Sequence, residues 1–166
     1  MATPTYTALA TVEADGSTST FNFTNIPSTY RDLVIVFSGK YKTGSDSINM
    51  RYNSNNDNTY MTVHMEGTGS STGGSNNRST LFNMNLGARM GTQESNLIIQ
   101  ILDYAVTDKY KIALSRFNCY FNSDNNEAAK FSAHHRSNTE AIDEVNLIFN
   151  SNLQTSSIIS IYGIAG

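Results

Sequence analysis

"MEGTGSSTGGSNNRSTLF", residues 65–82, holds a run made almost wholly of Gly, Ser, Thr and Asn. How this stretch is read decides the fold. It could separate two domains, cradle a phosphate, or join two strands of one domain. A phosphate loop needs a Lys-Ser/Thr ending and a following helix, and "GTGSSTGG" has neither. A linker would require residues 1–65 and 81–166 to fold separately. The first part offers about five short strands and few large apolar residues, which is marginal for independent stability. The pattern after the run continues the pattern before it. The run is therefore expected to be a long loop, about residues 66–80, at one end of a single domain spanning 1–166.

The pattern in question has a period of two. "STFNFTN" places Phe21 and Phe23 on one face, "SINMRYN" places Ile48, Met50 and Tyr52, and "LFNMNLG" places Phe82, Met84 and Leu86. "YMTVHME" (Met61, Val63, Met65), "AAKFSAHH" (Ala129, Phe131, Ala133) and "DEVNLIFN" (Val145, Leu147, Phe149) continue it. Each is the signature of a strand with one buried face, and the apolar residues are assigned to that face. "LVIVF" (33–37) and "LIIQIL" (97–102) are apolar on both faces and read as central strands. No segment keeps a 3.6-residue period, and "STYRDL" after Pro27 is expected to give one short helical turn at most. Polar turn clusters such as "NSNNDN" (53–58) and "NSDNNE" (122–127) divide the strands. About ten strands with long polar loops predict an all-β, antiparallel β-sandwich, jelly-roll-like in its connections.

Composition narrows the function. Only 15% of the 166 residues are charged, against a usual ~25%, and Asn occurs 20 times. The net charge is −3 with no basic block, which argues against nucleic acid as partner. No apolar segment approaches the ~20 residues of a membrane span, and no leader-like apolar stretch follows Met1. A soluble protein with no membrane partner is expected. Low charge suits subunits that pack closely, where charge would have to be desolvated.

Candidate chemistry is sparse. His64, His134 and His135 are the three imidazoles, and Cys119 is the single thiol. Neighbours on a strand point to opposite faces, so His134 and His135 cannot chelate one ion together. One is expected inside, among Phe131 and Ala133, and the other at the surface. Cys119, in phase with Phe117 and Phe121, reads as a small core residue. Asp57 stands alone, Asp124 pairs only with Glu127, and Asp143 and Glu144 alternate faces, so the oxygen-rich loops read as plain turns rather than calcium sites. The nine tyrosines read mainly as half-buried strand residues, with glycan stacking the alternative for exposed ones. No catalytic, cofactor or metal residue is assigned, and no enzyme is expected.

Several segments, in colinear order over nearly the whole chain, resemble a group of small β-rich virion structural proteins of tailed bacteriophages of marine bacteria and cyanobacteria. "YTALATVEADGSTSTFNFTNIPSTYRDLVIVFSGK" (6–40) is similar to their first strand, Ser/Thr-rich turn and F-x-x-I-P-x-x-Y-x-D-L pattern. "INMRYNSNNDNTYMTVHMEGTGSST" (48–72) resembles their I-x-x-R-F-N strand, Asn-rich turn and Gly/Ser loop, and "LIIQILDYAVTDKYKIALSRFN" (97–118) their I-x-I-x-x-Y strand and Lys-containing hairpin. "TEAIDEVNLIFNSNLQTSSIISIYGIAG" (139–166) resembles their closing S-x-x-x-L-Y-G-I, with Ile161 where Leu is common and "AG" added after Ile164. The resemblance implies a non-enzymatic component of a virion assembled in the host cytoplasm, carrying a jelly-roll-like sandwich. Its expected place is the outside of the head, as a decoration or cement protein on the major capsid protein or other virion subunits. A homo-oligomer, a trimer among the options, is expected. The alternative is a tail-fibre or spike module that recognises a host glycan.

Overall fold

The computed structural model describes residues 5–68, 71–86, 90–120 and 127–166, with the side chains of 75–81, Tyr120 and Glu127 left out. Every regular element among them is a β-strand. An eight-stranded antiparallel sheet runs, in spatial order, through Tyr6–Glu13 (β1), Ile158–Ile164 (β12), Asp32–Gly39 (β3), Ser95–Leu102 (β8), Lys111–Tyr120 (β9), Glu127–Arg136 (β10), Tyr60–Thr68 (β5) and Thr72–Leu81 (β6). A four-stranded sheet is ordered Thr20–Phe23 (β2), Val145–Phe149 (β11), Ile48–Tyr52 (β4) and Met84–Asn85 (β7). The two sheets pack as an antiparallel β-sandwich, with twelve strands among the described residues where about ten are expected from the sequence.

Alternation explains most of the core. Phe21 and Phe23, Ile48, Met50 and Tyr52, and Val145, Leu147 and Phe149 all point inward from the smaller sheet. Leu33, Ile35 and Phe37 meet them from β3, and Leu97, Ile99 and Ile101 from β8. Phe149 is the centre of an aromatic cluster. Its ring lies 5.7 Å from Phe21, 5.1 Å from Phe37 and 6.3 Å from Tyr41, so one side chain ties both sheets together. The strands are punctuated by residues able to adopt left-handed backbone. Asn25, Asn53, Ser54, Asp103 and Ser156 all have positive φ, and Asn53 and Ser54 open the turn cluster read at 53–58. The segment 28–30 after Pro27 is a turn, with no helix.

Of the residues 65–82, those at 65–68 and 72–81 lie in strands rather than in a loop. β5 continues to Thr68 and pairs antiparallel with β6 from Thr72, matching Gly67 with Thr72, Glu66 with Gly73 and Met65 with Gly74. Ser71 donates its amide to Thr68 O and Oγ1, closing the hairpin with side-chain hydroxyls. Small polar residues sufficed because β6 is an edge strand, bonded on one side only. Such a strand needs backbone hydrogen bonds more than apolar side chains, and those bonds leave no periodic trace in sequence.

A second correction concerns which faces turn inward on β5 and β10. Val63, Met65 and Phe131 were assigned to the core, yet they are 48%, 67% and 54% exposed, and Ala129 and Ala133 are exposed beside them. The buried set is the opposite parity: Thr62 on β5, and Ala128, Lys130, Ser132, His134 and Arg136 on β10. The cause is register. β9 turns Ala113, Phe117 and Cys119 into the core, and β10 pairs with it residue for residue, Phe117 opposite Lys130 and Ala113 opposite His134. Directly paired residues share a face, so the choice made on β9 is imposed on β10 and then on β5.

Two glycines mark close approaches. A Cβ added to Gly163 on β12 would fall 2.4 Å from the Tyr30 ring, and one added to Gly39 2.3 Å from Ser157 Cβ. Gly163→Ala is expected to destabilise the fold by about 1–3 kcal/mol through overpacking. Removing the ring as well, in Gly163→Ala with Tyr30→Ser, is expected to give less than the additive loss. Urea denaturation of the two single variants and the double variant reads this directly.

Candidate functional site

β10 and β5 are the strands of the large sheet where the two faces have exchanged their usual character, and β8 and β9 lie beside them. On the inner face, the row Ile159, Phe37, Leu97 and Phe117 is apolar and then changes to Lys130 and Glu66. The neighbouring rows change likewise, from Ile99 to Ser115, Ser132 and His64, and from Ala113 to His134 and Thr62. These polar groups satisfy one another. Thr62 Oγ1 lies 3.0 Å from His134 Nδ1, and Ser115 Oγ lies 2.9 Å from Nε2. A neutral imidazole donates at one nitrogen and accepts at the other, and the rotatable hydroxyls supply both complements.

Burial, with smaller contributions from Lys130 and His64, pushes the His134 imidazole down to about 3. His64 is also lowered, by burial first and then by Lys130, against the opposing pull of Glu66 3.8 Å away. Lys130 is lowered by its own burial. At the end of the strand the Arg136 guanidinium is buried over the Tyr60 ring, 5.6 Å from its centroid, and reaches Glu140 at 3.2 Å.

A serine, a histidine and a third hydroxyl in series have the form of an activated nucleophile. This trio cannot act as one. Ser115, His134 and Thr62 are all sealed from solvent, and an imidazole held near 3 is a poor base at neutral pH. Their work is to satisfy a buried polar surface. Cys119 is buried on the same face as Phe117, as expected, and burial pushes its thiol up to about 11.

His134 and His135 do point to opposite sides. His134 is the inner one, but on the face away from Phe131 and Ala133, while the half-buried His135 packs edge-on against exposed Tyr110 at 5.3 Å. Asn53 accepts the amides of Asp143 and Glu144 and donates to Ala141 O. Asp57 accepts the Asn55 amide, and Glu144 accepts from Ser54 and Asn146. "NSNNDN" is thus a hydrogen-bonded turn. Asp124 lies outside the described residues, and so does the Glu127 side chain. Among the described residues no three His, Cys, Asp or Glu side chains are placed to hold a metal ion. Tyr41, Tyr52, Tyr60 and Tyr104 are buried, and Tyr6 and Tyr110 are exposed.

The outer face holds what the inner face gave up. Ile112 and Leu114 on β9 are 45% and 46% exposed, side by side with Phe131, Val63 and Met65. Ile98 and Gln100 of β8 border them. The surface is indented by a groove of about 550 Å³ between Leu114, Phe131 and Val63. Arg116, between Ile98 and Phe131 in register, is the one charged residue in the groove's lining. Val63, Met65, Leu114 and Phe131 thus form an exposed apolar patch around a single Arg side chain. The sequence held a signal for it. "KIALSRFNCY" carries Ile112 and Leu114 on one parity and Phe117 and Cys119 on the other, so one apolar pair had to face outward.

No protein-family model matches the chain, and no curated protein matches it in sequence.

Two outcomes follow from the inner face. His134 is depressed in the folded state, so below its ordinary value of 6.5 the unfolded chain binds more protons. Its contribution to stability is present above pH about 6.5 and is lost progressively as pH falls toward about 3. Urea midpoints between neutral pH and pH about 4 are expected to fall less steeply in His134→Asn than in the unsubstituted chain, a difference that removes the background of titrating carboxylates. Cys119 is expected to resist a thiol-specific chromogenic reagent at mildly alkaline pH and to react at the rate of unfolding.

Proposed function

We propose that the chain is a non-enzymatic structural protein of a bacteriophage particle, a decoration or cement protein bound to the outside of the head. One observation supports an assembling role above all: a broad, nearly uncharged apolar face on the outside of a sandwich whose polar groups are turned inward. A chain that spends its apolar side chains on its own exterior gains from them only when another surface covers them. The colinear resemblance to virion structural proteins supplies the setting, and the low charge of the chain fits close subunit packing. Contacts of this type need shape and burial rather than bond chemistry.

Copy number and place on the particle test the proposal. Quantitative mass spectrometry of gradient-purified virions, combined with cryo-electron microscopy of particles labelled through a tag on the chain, is expected to find many copies on the head exterior. Labelling confined to the tail tip, with binding of the purified protein to host glycan that is lost in Tyr110→Ala, overturns the head assignment in favour of a receptor-binding module. Absence of the protein from purified particles overturns the virion reading altogether.

A further inference from the structure

We infer that the outer face of the large sheet takes a short extended segment of a neighbouring virion subunit. That segment carries apolar side chains at two positions four residues apart and one carboxylate midway between them. This pairing rests on the assembling role proposed above and assigns it a surface and a partner chemistry.

Charge defines the occupant. Three rows of directly paired residues cross the outer face from β3 to β5, through Gln100, Ile98 and Asn96 of β8. They hold one cation, Arg116, and no carboxylate. Among the described residues Arg116 forms no ion pair. A guanidinium set among apolar side chains and left unmatched by its own chain is complementary to a single anionic group. A phosphate polymer or a strongly acidic partner would need several cations. The fitting partner is apolar and carries one carboxylate.

Relief sets the spacing. The outward residues of β10 run small, large, small: Ala129, Phe131, Ala133. The groove of about 550 Å³ lies over Ala133, between Leu114, Val63 and Phe131. Past Phe131, Ala129 borders two further hollows, of about 220 Å³ toward Asn118 and about 620 Å³ toward Gly67. A Cβ added at Gly67 would meet nothing within 4 Å, so that hollow is open at its floor. Arg116 is in register with Phe131 and borders a hollow on each side of it. Four residues separate Ala129 from Ala133, a span of about 14 Å along the strand. In an extended partner, side chains i, i+2 and i+4 project the same way at that same spacing. Laid along β10, its outer two enter the hollows and its middle one meets Arg116.

Area favours a segment over a whole subunit face. The four strands that carry the apolar side chains cover roughly 19 by 27 Å, about 500 Å², short of the ~800 Å² per partner of a standard interface.

The test sets the purified chain against an array of short overlapping peptides covering the other proteins of the purified particle. Fluorescence anisotropy then gives the affinity of each bound peptide in solution. Bound peptides are expected to share the apolar–acid–apolar spacing. Changing the acid to its amide, or moving it by one residue, is expected to weaken binding about tenfold or more. Arg116→Gln is expected to weaken it equally, and Arg116→Glu to bind the peptide whose acid is replaced by lysine. Ala133→Leu fills the first hollow from an exposed position, and is expected to weaken binding at an unchanged melting temperature. Ile158→Ser, on the outer face but outside the groove linings, is expected to leave the affinity unchanged. If the chain is found in particles and no peptide binds, the inference is overturned and the virion reading stands. Binding indifferent to Arg116 and to the acid overturns it too. Absence of the chain from particles overturns the virion reading, and this pairing with it.

Discussion

Antiparallel pairing leaves each strand one binary choice, which of its two faces points inward, and each strand hands that choice to the next. In this molecule the choice is made where the apolar signal is strong, on β12, β3 and β8, and transmitted where it is weak. Phe117 turns inward on β9 because it continues the row of Phe37 and Leu97. Lys130 on β10 and Glu66 on β5 must then follow, whatever their own preference. A slip of one residue between β9 and β10 would bury Phe131 and Val63, and would expose His134 and Thr62. The ladder of backbone hydrogen bonds therefore outranks the hydrophobicity of two strands. Both faces of the candidate site descend from that single register.

The inverted parity has a cost that the inner face mostly offsets. His134 has a partner on each ring nitrogen, and Arg136 has a carboxylate and an aromatic ring. The offset is incomplete, since Arg136 Nε and Nη1 and Ser132 Oγ are buried without a protein partner. Each unsatisfied group costs on the order of 1–3 kcal/mol. Replacing a satisfied polar interior by an apolar one of equal volume is often neutral or stabilising. The arrangement is thus not what isolated stability alone would favour. It becomes economical when the apolar side chains displaced to the outer face are buried against a neighbour.

Much of the architecture was legible in the sequence because a period of two survives in short runs. The central placement of 33–37 and 97–102 followed from apolar residues on both parities, and the Asn-rich cluster at 53–58 marked the reversal at Asn53 and Ser54. Two things were not legible. Strand β6 has no apolar period, since an edge strand is held by backbone bonds that composition does not encode. The orientation of β5 and β10 was misread because Phe131 and Val63 carry the local hydrophobic signal, while the deciding information lies on β9, a strand away in space. Local pattern reports a strand's two faces faithfully. It does not report which of them the neighbouring strand has already committed to the interior.

The two ends of the large sheet bear on what sort of assembly the molecule can enter. β1 and β6 are the edges, and both pairings break step: β1 shifts against β12 between Ala8 and Ala10, and β6 shifts against β5 between Tyr60 and Thr62. An irregularity of this sort bends an edge and spoils the even row of donors and acceptors that an incoming strand would read. Addition of a strand from another copy is therefore disfavoured at both edges of the large sheet.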